Sequence, residues 1–170
     1  MDTIRFRLGR PLDARAIGVL ARRVARQWIL PEQTPEAGAV LLAGMSAQAI
    51  RQKMAQGQRF HLACVGEVVV GVAAMRNDSH LVQFFVGTRY QGRGISRHLW
   101  QRVVKDAQRR ADTRRFTLNA TRVAIPVYLR FGFVPTAPET TAPNGIVATP
   151  MQLDLPATQP VTTQRRQTSR

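Results

Sequence analysis

The sequence predicts a mixed α/β domain of the α+β kind, in which a mainly antiparallel central sheet is flanked by helices. Three observations predict it. Residues 59 to 65, 68 to 75 and 80 to 86 are apolar runs separated only by turn clusters, the pattern of an antiparallel meander. From Gly94 the period changes, with Ile95, Leu99, Val103 and Ala107 recurring every four residues as on the packed face of a helix. Ile17, Leu20, Val24 and Trp28 repeat that spacing nearer the N-terminus.

The elements follow in order. Residues 3 to 8 alternate apolar and polar as a first strand, and Asp13 in Pro11-Leu12-Asp13 is placed to cap the helix that follows, which Pro31 ends. Residues 31 to 57 form a second helical region, broken near Gly44-Met45-Ser46, with Ser46 capping the part that stops at Gly57. Gly66-Glu67 reads as a tight hairpin, which makes Glu67 a turn residue, and Asn77-Asp78-Ser79 as a second turn. After the helix from Gly94 come a short strand at 115 to 119, a short helix at 121 to 131, a strand beginning at Phe133-Val134 and a loop from Pro135 to Pro143. Residues 145 to 154 make the last strand, where Pro150 suggests an edge or a bulge. One domain over residues 1 to 155 is expected, followed by a basic tail, 156 to 170, with too little apolar content to order itself.

Bulk properties narrow the function classes. A chain of 170 residues with 44% hydrophobic residues can bury one core without disulfides or metals. The longest apolar runs are too short to span a bilayer, and the N-terminus has no secretory pattern, so a cytoplasmic protein without membrane association is expected. The one cysteine, Cys64, sits in an apolar run and reads as core. His61 and His98 have no metal-ligand spacing with it, so no metal is expected. The net charge of +15 attracts anions, but the basic residues, arginines apart from Lys53 and Lys105, are scattered and lack interleaved aromatics, so no specific nucleic acid is expected.

Chemistry points to the turn Gln91-Gly92-Arg93-Gly94-Ile95-Ser96, between a strand and a helix. The first N–H groups of a helix have no helical partner and lie at its positive end, and glycines at 92 and 94 let a phosphate approach the backbone. A Walker loop needs Lys-Ser/Thr after its last glycine, where this chain has Ile95-Ser96. A dinucleotide fingerprint follows the first strand of a parallel unit, whereas antiparallel strands precede this turn.

These residues resemble the coenzyme motif of the GNAT superfamily of N-acetyltransferases, in which Gln or Arg is followed after two residues by Gly and then, one further on, by Gly or Ala. Gln91, Gly94 and Ser96 stand at those positions, Ser96 departing from the glycine or alanine preference. A second match, from Leu118 to Phe133, resembles the family's Asn-Ala-Ser, Ala-Val-Pro and Tyr-x-x-x-Gly-Phe pattern, with Thr121 in place of serine. Asn144-Gly145-Ile146 and Pro150-Met151 resemble the last strand of small bacterial members.

The resemblance implies a GNAT-like sheet, acetyl-CoA as acyl donor and an amine as acceptor: a small molecule, a peptide N-terminus or a lysine. It implies that Phe84, Phe85 and Val86 lie on a strand that splays from its neighbour and binds the pantetheine arm. Gln91, Gly92, Arg93, Gly94, Ile95, Ser96 and Arg97 would hold the diphosphate, with Asn119 also on the coenzyme side. Tyr128 matches the tyrosine beside the coenzyme sulfur and is the expected general acid. The family's usual strand carboxylate is missing; Gln83 or His80 stands nearest to it, and Glu32 or Glu36 is a candidate for holding a cationic amine. Trp28 and Met45 are read first as packing, with the acceptor pocket as the other reading. Two other functions stay open: a noncatalytic acyl-CoA binding or sensing module, and nucleic-acid binding through arginines such as those in Gln164-Arg165-Arg166. A homodimer also stays open.

Overall fold

In the computed structural model the described residues are 3–157, so the expected disordered tail lies, apart from its first two residues, outside them. The strands are β1 (Ile4–Leu8), β2 (Arg59–Val65), β3 (Val68–Arg76), β4 (His80–Val86), β5 (Arg115–Ala120), β6 (Val134–Pro135), β7 (Thr140–Thr141) and β8 (Val147–Asp154). The helices are α1 (Ala14–Trp28), α2 (Pro35–Ala43), α3 (Ala47–Ala55), α4 (Ile95–Ala111) and α5 (Ile125–Arg130). The sheet runs β1-β2-β3-β4-β5-β8-β6, with β7 paired to β8. Every pairing is antiparallel except β4 with β5. That exception follows from α4, which carries the chain back across the sheet so that β5 starts at the same end as β4.

Helices cover both faces. On one, Ile17, Leu20 and Val24 of α1 pack with Ile50, Leu62, Val72 and Phe85. On the other, Leu99, Trp100 and Val103 of α4 pack with Phe116, Tyr128 and Phe133. Because both faces are covered, β3 is buried without interruption from Val69 to Met75 instead of alternating. Gly71 sets how closely α4 approaches: a Cβ there would lie 3.1 Å from the Leu99 side chain and 3.2 Å from that of Ile95.

The local signals resolve as follows. Ser46 caps α3 by accepting from Ala49 N–H, and Thr34 caps α2 by accepting from Ala37 N–H. Asp13 does not cap α1. Its carboxylate instead accepts from Arg10 N–H and from both terminal nitrogens of Arg7 at 2.8 Å, and the Arg7 hydrogen bond holds its pKa down at about 2. Residues 135 to 143 are not all loop, since β7 forms a rung on β8. Pro150 is at neither an edge nor a bulge: β8 lies between β5 and β6, and the Pro150 carbonyl accepts from Thr136 N–H at 2.9 Å. A residue in an antiparallel strand points its N and C=O the same way, so the missing donor faces the two-residue β6 and breaks no rung to β5.

Candidate functional site

The site begins with a defect in the sheet. Between β3 and β4 the register slips, with Met75 opposite Leu81 but Ala74 opposite Gln83, so Val82 is an extra residue on β4. Such a bulge bends its strand and increases the local twist. At the same level β4 leaves β5: the two pair at His80 with Thr117 and at Leu81 with Leu118, and at no later register. Past that point β4 has no strand partner on its β5 side among the described residues, and a V-shaped opening separates Phe84, Phe85 and Val86 from the end of β5.

At the mouth of the opening lies the glycine turn. Gly92 and Gly94 take φ of 75° and 76°, the left-handed region that a side chain makes costly. A Cβ on Gly92 would meet nothing within 4 Å, so the space over that backbone is open. Gly94 is the N-cap of the 17-residue α4, which has no side-chain cap and no acidic residue in its first turn. The first N–H groups of α4 are therefore left for an anion. Gln91 turns inward, donating to the Val86 carbonyl at 3.1 Å and fixing the turn to the end of β4.

Strand end, turn and helix start enclose a cleft of about 390 Å³. Of the residues singled out in the sequence, Phe84, Phe85, Val86, Gln91, Gly92, Ile95, Ser96 and Tyr128 line it. Arg93, Gly94, Arg97 and Asn119 do not: Arg93 lies over the Tyr90 ring at 5.3 Å, and Asn119 is exposed in β5 opposite Pro150. The far wall comes from Thr121 and from Val127, Tyr128 and Arg130 around α5. The end of α1 forms the roof through Val24, Trp28 and Ile29, so Trp28, 38% exposed, faces the cleft and is not core, while Met45 is buried in the core.

Tyr128 is fixed by packing. It is 8% exposed, with ring centroids 6.1 Å from Phe84 and 5.9 Å from Phe133, and burial pushes the phenol pKa up. The phenol therefore stays protonated at neutral pH.

Among the described residues no Asp, Glu, His or Lys lines the cleft. His80 lies where β4 and β5 are still paired, its Nδ1 2.8 Å from the Thr117 hydroxyl, and burial lowers its pKa. Gln83 is buried with its Oε1 unpartnered, and its amide nitrogen is 3.5 Å from the Gly44 carbonyl. Glu32 lies beyond the roof, with one carboxylate oxygen buried and unpartnered. Glu36 is exposed in the first turn of α2. Among the described residues no group of His, Cys, Asp and Glu is arranged to hold a metal ion, and no helix is long and apolar enough to cross a membrane.

Sequence reasoning missed Val127 and Arg130 as cleft residues, although both lie inside the second motif, a few positions either side of a residue it did single out. It also missed the buried cluster in which Asp106 accepts from Arg59 at 2.6 Å and lies 3.4 Å from His61, because those residues are distant in sequence.

A family model described as an acetyltransferase (GNAT) domain matches residues 29–155. Among curated proteins no relative matches. Solved structures of similar fold include a GCN5-related N-acetyltransferase from Rhodopseudomonas palustris, at 21% identity and TM-score 0.77, covering 91% of this chain and 98% of that one. The paia N-acetyltransferase of Thermoplasma acidophilum, in complex with coenzyme A, is 13% identical with TM-score 0.74, covering 89% and 99%. The yncA structure from Salmonella typhimurium, with its cofactor acetyl-CoA, is 20% identical with TM-score 0.61, covering 93% and 97%.

Proposed function

This chain belongs to the GNAT acetyltransferase family, and on that premise we propose that it transfers an acetyl group from acetyl-CoA to an amine. The observation that carries the reading is continuity: one cleft joins the glycine turn at Gly92 to the phenol of Tyr128. The residues fit the coenzyme. The open backbone at Gly92 and the uncapped start of α4 suit a diphosphate, and the apolar walls from Phe84, Phe85, Val86 and Val127 suit the pantetheine arm. Arg130, in the same cleft and without an acidic partner among the described residues, adds positive charge for a phosphate.

When bound, acetyl-CoA supplies the thioester carbonyl that the amine attacks and the sulfur that leaves. Tyr128 donates a hydrogen bond, and then its proton, where negative charge grows on that sulfur. Phe84 and Phe133 hold the phenol in place. With no carboxylate or imidazole lining the cleft among the described residues, the amine enters neutral and loses its second proton to solvent after attack, and solvent returns a proton to the Tyr128 phenolate once the thiol has left. The lone buried Cys64 and the dependence on acetyl-CoA fit a cytoplasmic enzyme.

The test is thiol release with a panel of amines. Tyr128→Phe should lower kcat about 10- to 100-fold while the coenzyme Kd stays within about twofold, because one donor is lost and the walls are kept. Unchanged kcat removes Tyr128 as the acid. The absence of a carboxylate or imidazole proton acceptor from the cleft among the described residues also suits a noncatalytic acyl-CoA sensor, and coenzyme binding without turnover on any amine would favour that second reading.

A further inference from the structure

The excess of positive charge is unevenly distributed. Carboxylates across the sheet and α4 already hold arginines: Asp106 holds Arg59 and Arg109, Asp78 holds Arg110, Asp154 holds Arg115 and Glu139 holds Arg122. α1 is different. It has four arginines, at 15, 22, 23 and 26, and no acidic residue from Ala14 to Trp28. Arg22 donates to the Gly18 carbonyl at 3.1 Å, and Arg15, Arg23 and Arg26 have no acidic partner among the described residues. Arg22 and Arg23 stand four and three positions before Arg26, spacings at which like charges on a helix repel.

These side chains form a surface with a shape. Val19, Arg22, Arg23, Arg26 and Gln27 line a shallow groove on the outside of α1. Val19, in the groove, is 43% exposed, so the basic face includes an apolar contact. Gln27 at one end accepts a hydrogen bond from the Thr88 hydroxyl at 2.9 Å, next to the exposed Arg89. The helix turn that supplies Arg26 and Gln27 also sends Val24 and Trp28 into the cleft. Groove and cleft are thus two sides of one helix end.

We propose that this face of α1 docks an acidic polypeptide segment belonging to the acceptor, so that the amine acetylated is carried on a negatively charged peptide or protein. The proposal rests on the acetyltransferase reading. Charge complementarity selects an anionic occupant. Val19 suits an apolar side chain of a peptide better than a phosphate backbone, and among the described residues no aromatic lines the groove for a base to stack on. An acidic segment on this face sits beside the roof of the cleft, which keeps its amine at high local concentration there.

The experiment measures kcat/KM at saturating acetyl-CoA for peptides of equal length that share one free amine and differ in having Glu/Asp-rich, neutral or Lys-rich bodies. The acidic peptide should be preferred over the neutral one by roughly tenfold or more, and the preference should shrink as salt is raised. The double variant Arg23→Glu/Arg26→Glu should raise KM for the acidic peptide roughly 10- to 100-fold. It should leave kcat, the coenzyme Kd, the melting temperature and turnover of a small uncharged amine unchanged. Equal use of acidic and neutral peptides, an indifferent double variant, or a single-stranded oligonucleotide that binds this face more tightly than the acidic peptide would each overturn the proposal. If wild type turns over no amine, the acetyltransferase reading fails. Fluorescence anisotropy of the labelled acidic peptide on wild type and on the double variant then tests the docking face by itself.

Discussion

At its closed end the β4–β5 pair is bound by polar ties: the His80 ring to the Thr117 hydroxyl, Thr117 N–H to the Ser79 carbonyl, Thr113 hydroxyl to the Asp78 carbonyl and Arg110 to the Asp78 carboxylate. At its open end the same two strands share no rung, and the walls between them are aromatic and aliphatic side chains, with bare glycine backbone at the mouth. α4 joins the two, starting uncapped at the mouth and placing Asp106 among Arg59, His61 and Arg109 towards the closed end. The difference teaches that hydrogen bonds are used up where the strands must stay together and left unmade where a ligand must enter. Substitutions at the open end should therefore change binding at little cost in stability, and those at the closed end the reverse.

The largest effect is expected from Gly94→Glu. The added carboxylate repels phosphate at the helix start and puts a side chain on a residue with φ of 76°. Coenzyme affinity by calorimetry should fall about 100-fold or more, with only about 1–2 kcal/mol lost in urea unfolding. Near-normal affinity would mean that the diphosphate lies elsewhere.

An intermediate effect comes from pH at the closed end. Burial lowers the His61 pKa to about 4, against the pull of Asp106 and with help from Arg59 and Arg102. In the unfolded chain His61 takes up a proton near 6.5, so between there and about 4 the unfolded state binds more protons and stability falls as pH falls. From pH 7 to pH 4.5 the loss should be about 2–3 kcal/mol, read by urea unfolding, and His61→Gln should flatten the slope in that window. Asp106 has its pKa lowered, burial being outweighed by hydrogen bonds from Arg59 and Arg109, so its stabilisation is lost only in more acidic solution.

The smallest effect is expected from Thr117→Val, which keeps the shape and removes the tie to His80. It should cost about 0.5–1.5 kcal/mol and leave coenzyme affinity unchanged. A weakened affinity would show that the closed end holds the mouth open, which would break the division between the two ends.

Much of this arrangement was legible in the sequence. Meander, α4 and glycine turn each announce themselves through local period or turn chemistry, and Ser46 is a cap that needs no distant partner. Features set by distant partners were not legible. Asp13 is diverted from capping α1 by Arg7 on β1, an edge strand whose alternation says nothing about ion pairs. Trp28 keeps the spacing of the α1 core stripe, yet the end of the helix overhangs the cleft and the ring points into it. β6 and β7 have two residues each, too few for any period. The parting of β4 from β5 coincides with the extra residue at Val82, which nothing in the run His80 to Val86 marks.

The rims of the sheet have a bearing on behaviour in concentrated solution. One is β1, five residues long with Arg5 and Arg7 along it, and the other is shared by β6, whose second residue is a proline, and the two-residue β7, both paired to β8. Both are poor templates for a foreign strand, the first because a docking chain meets cationic side chains and the second because it is short and lacks a donor. Addition of a foreign strand at either rim is thereby disfavoured.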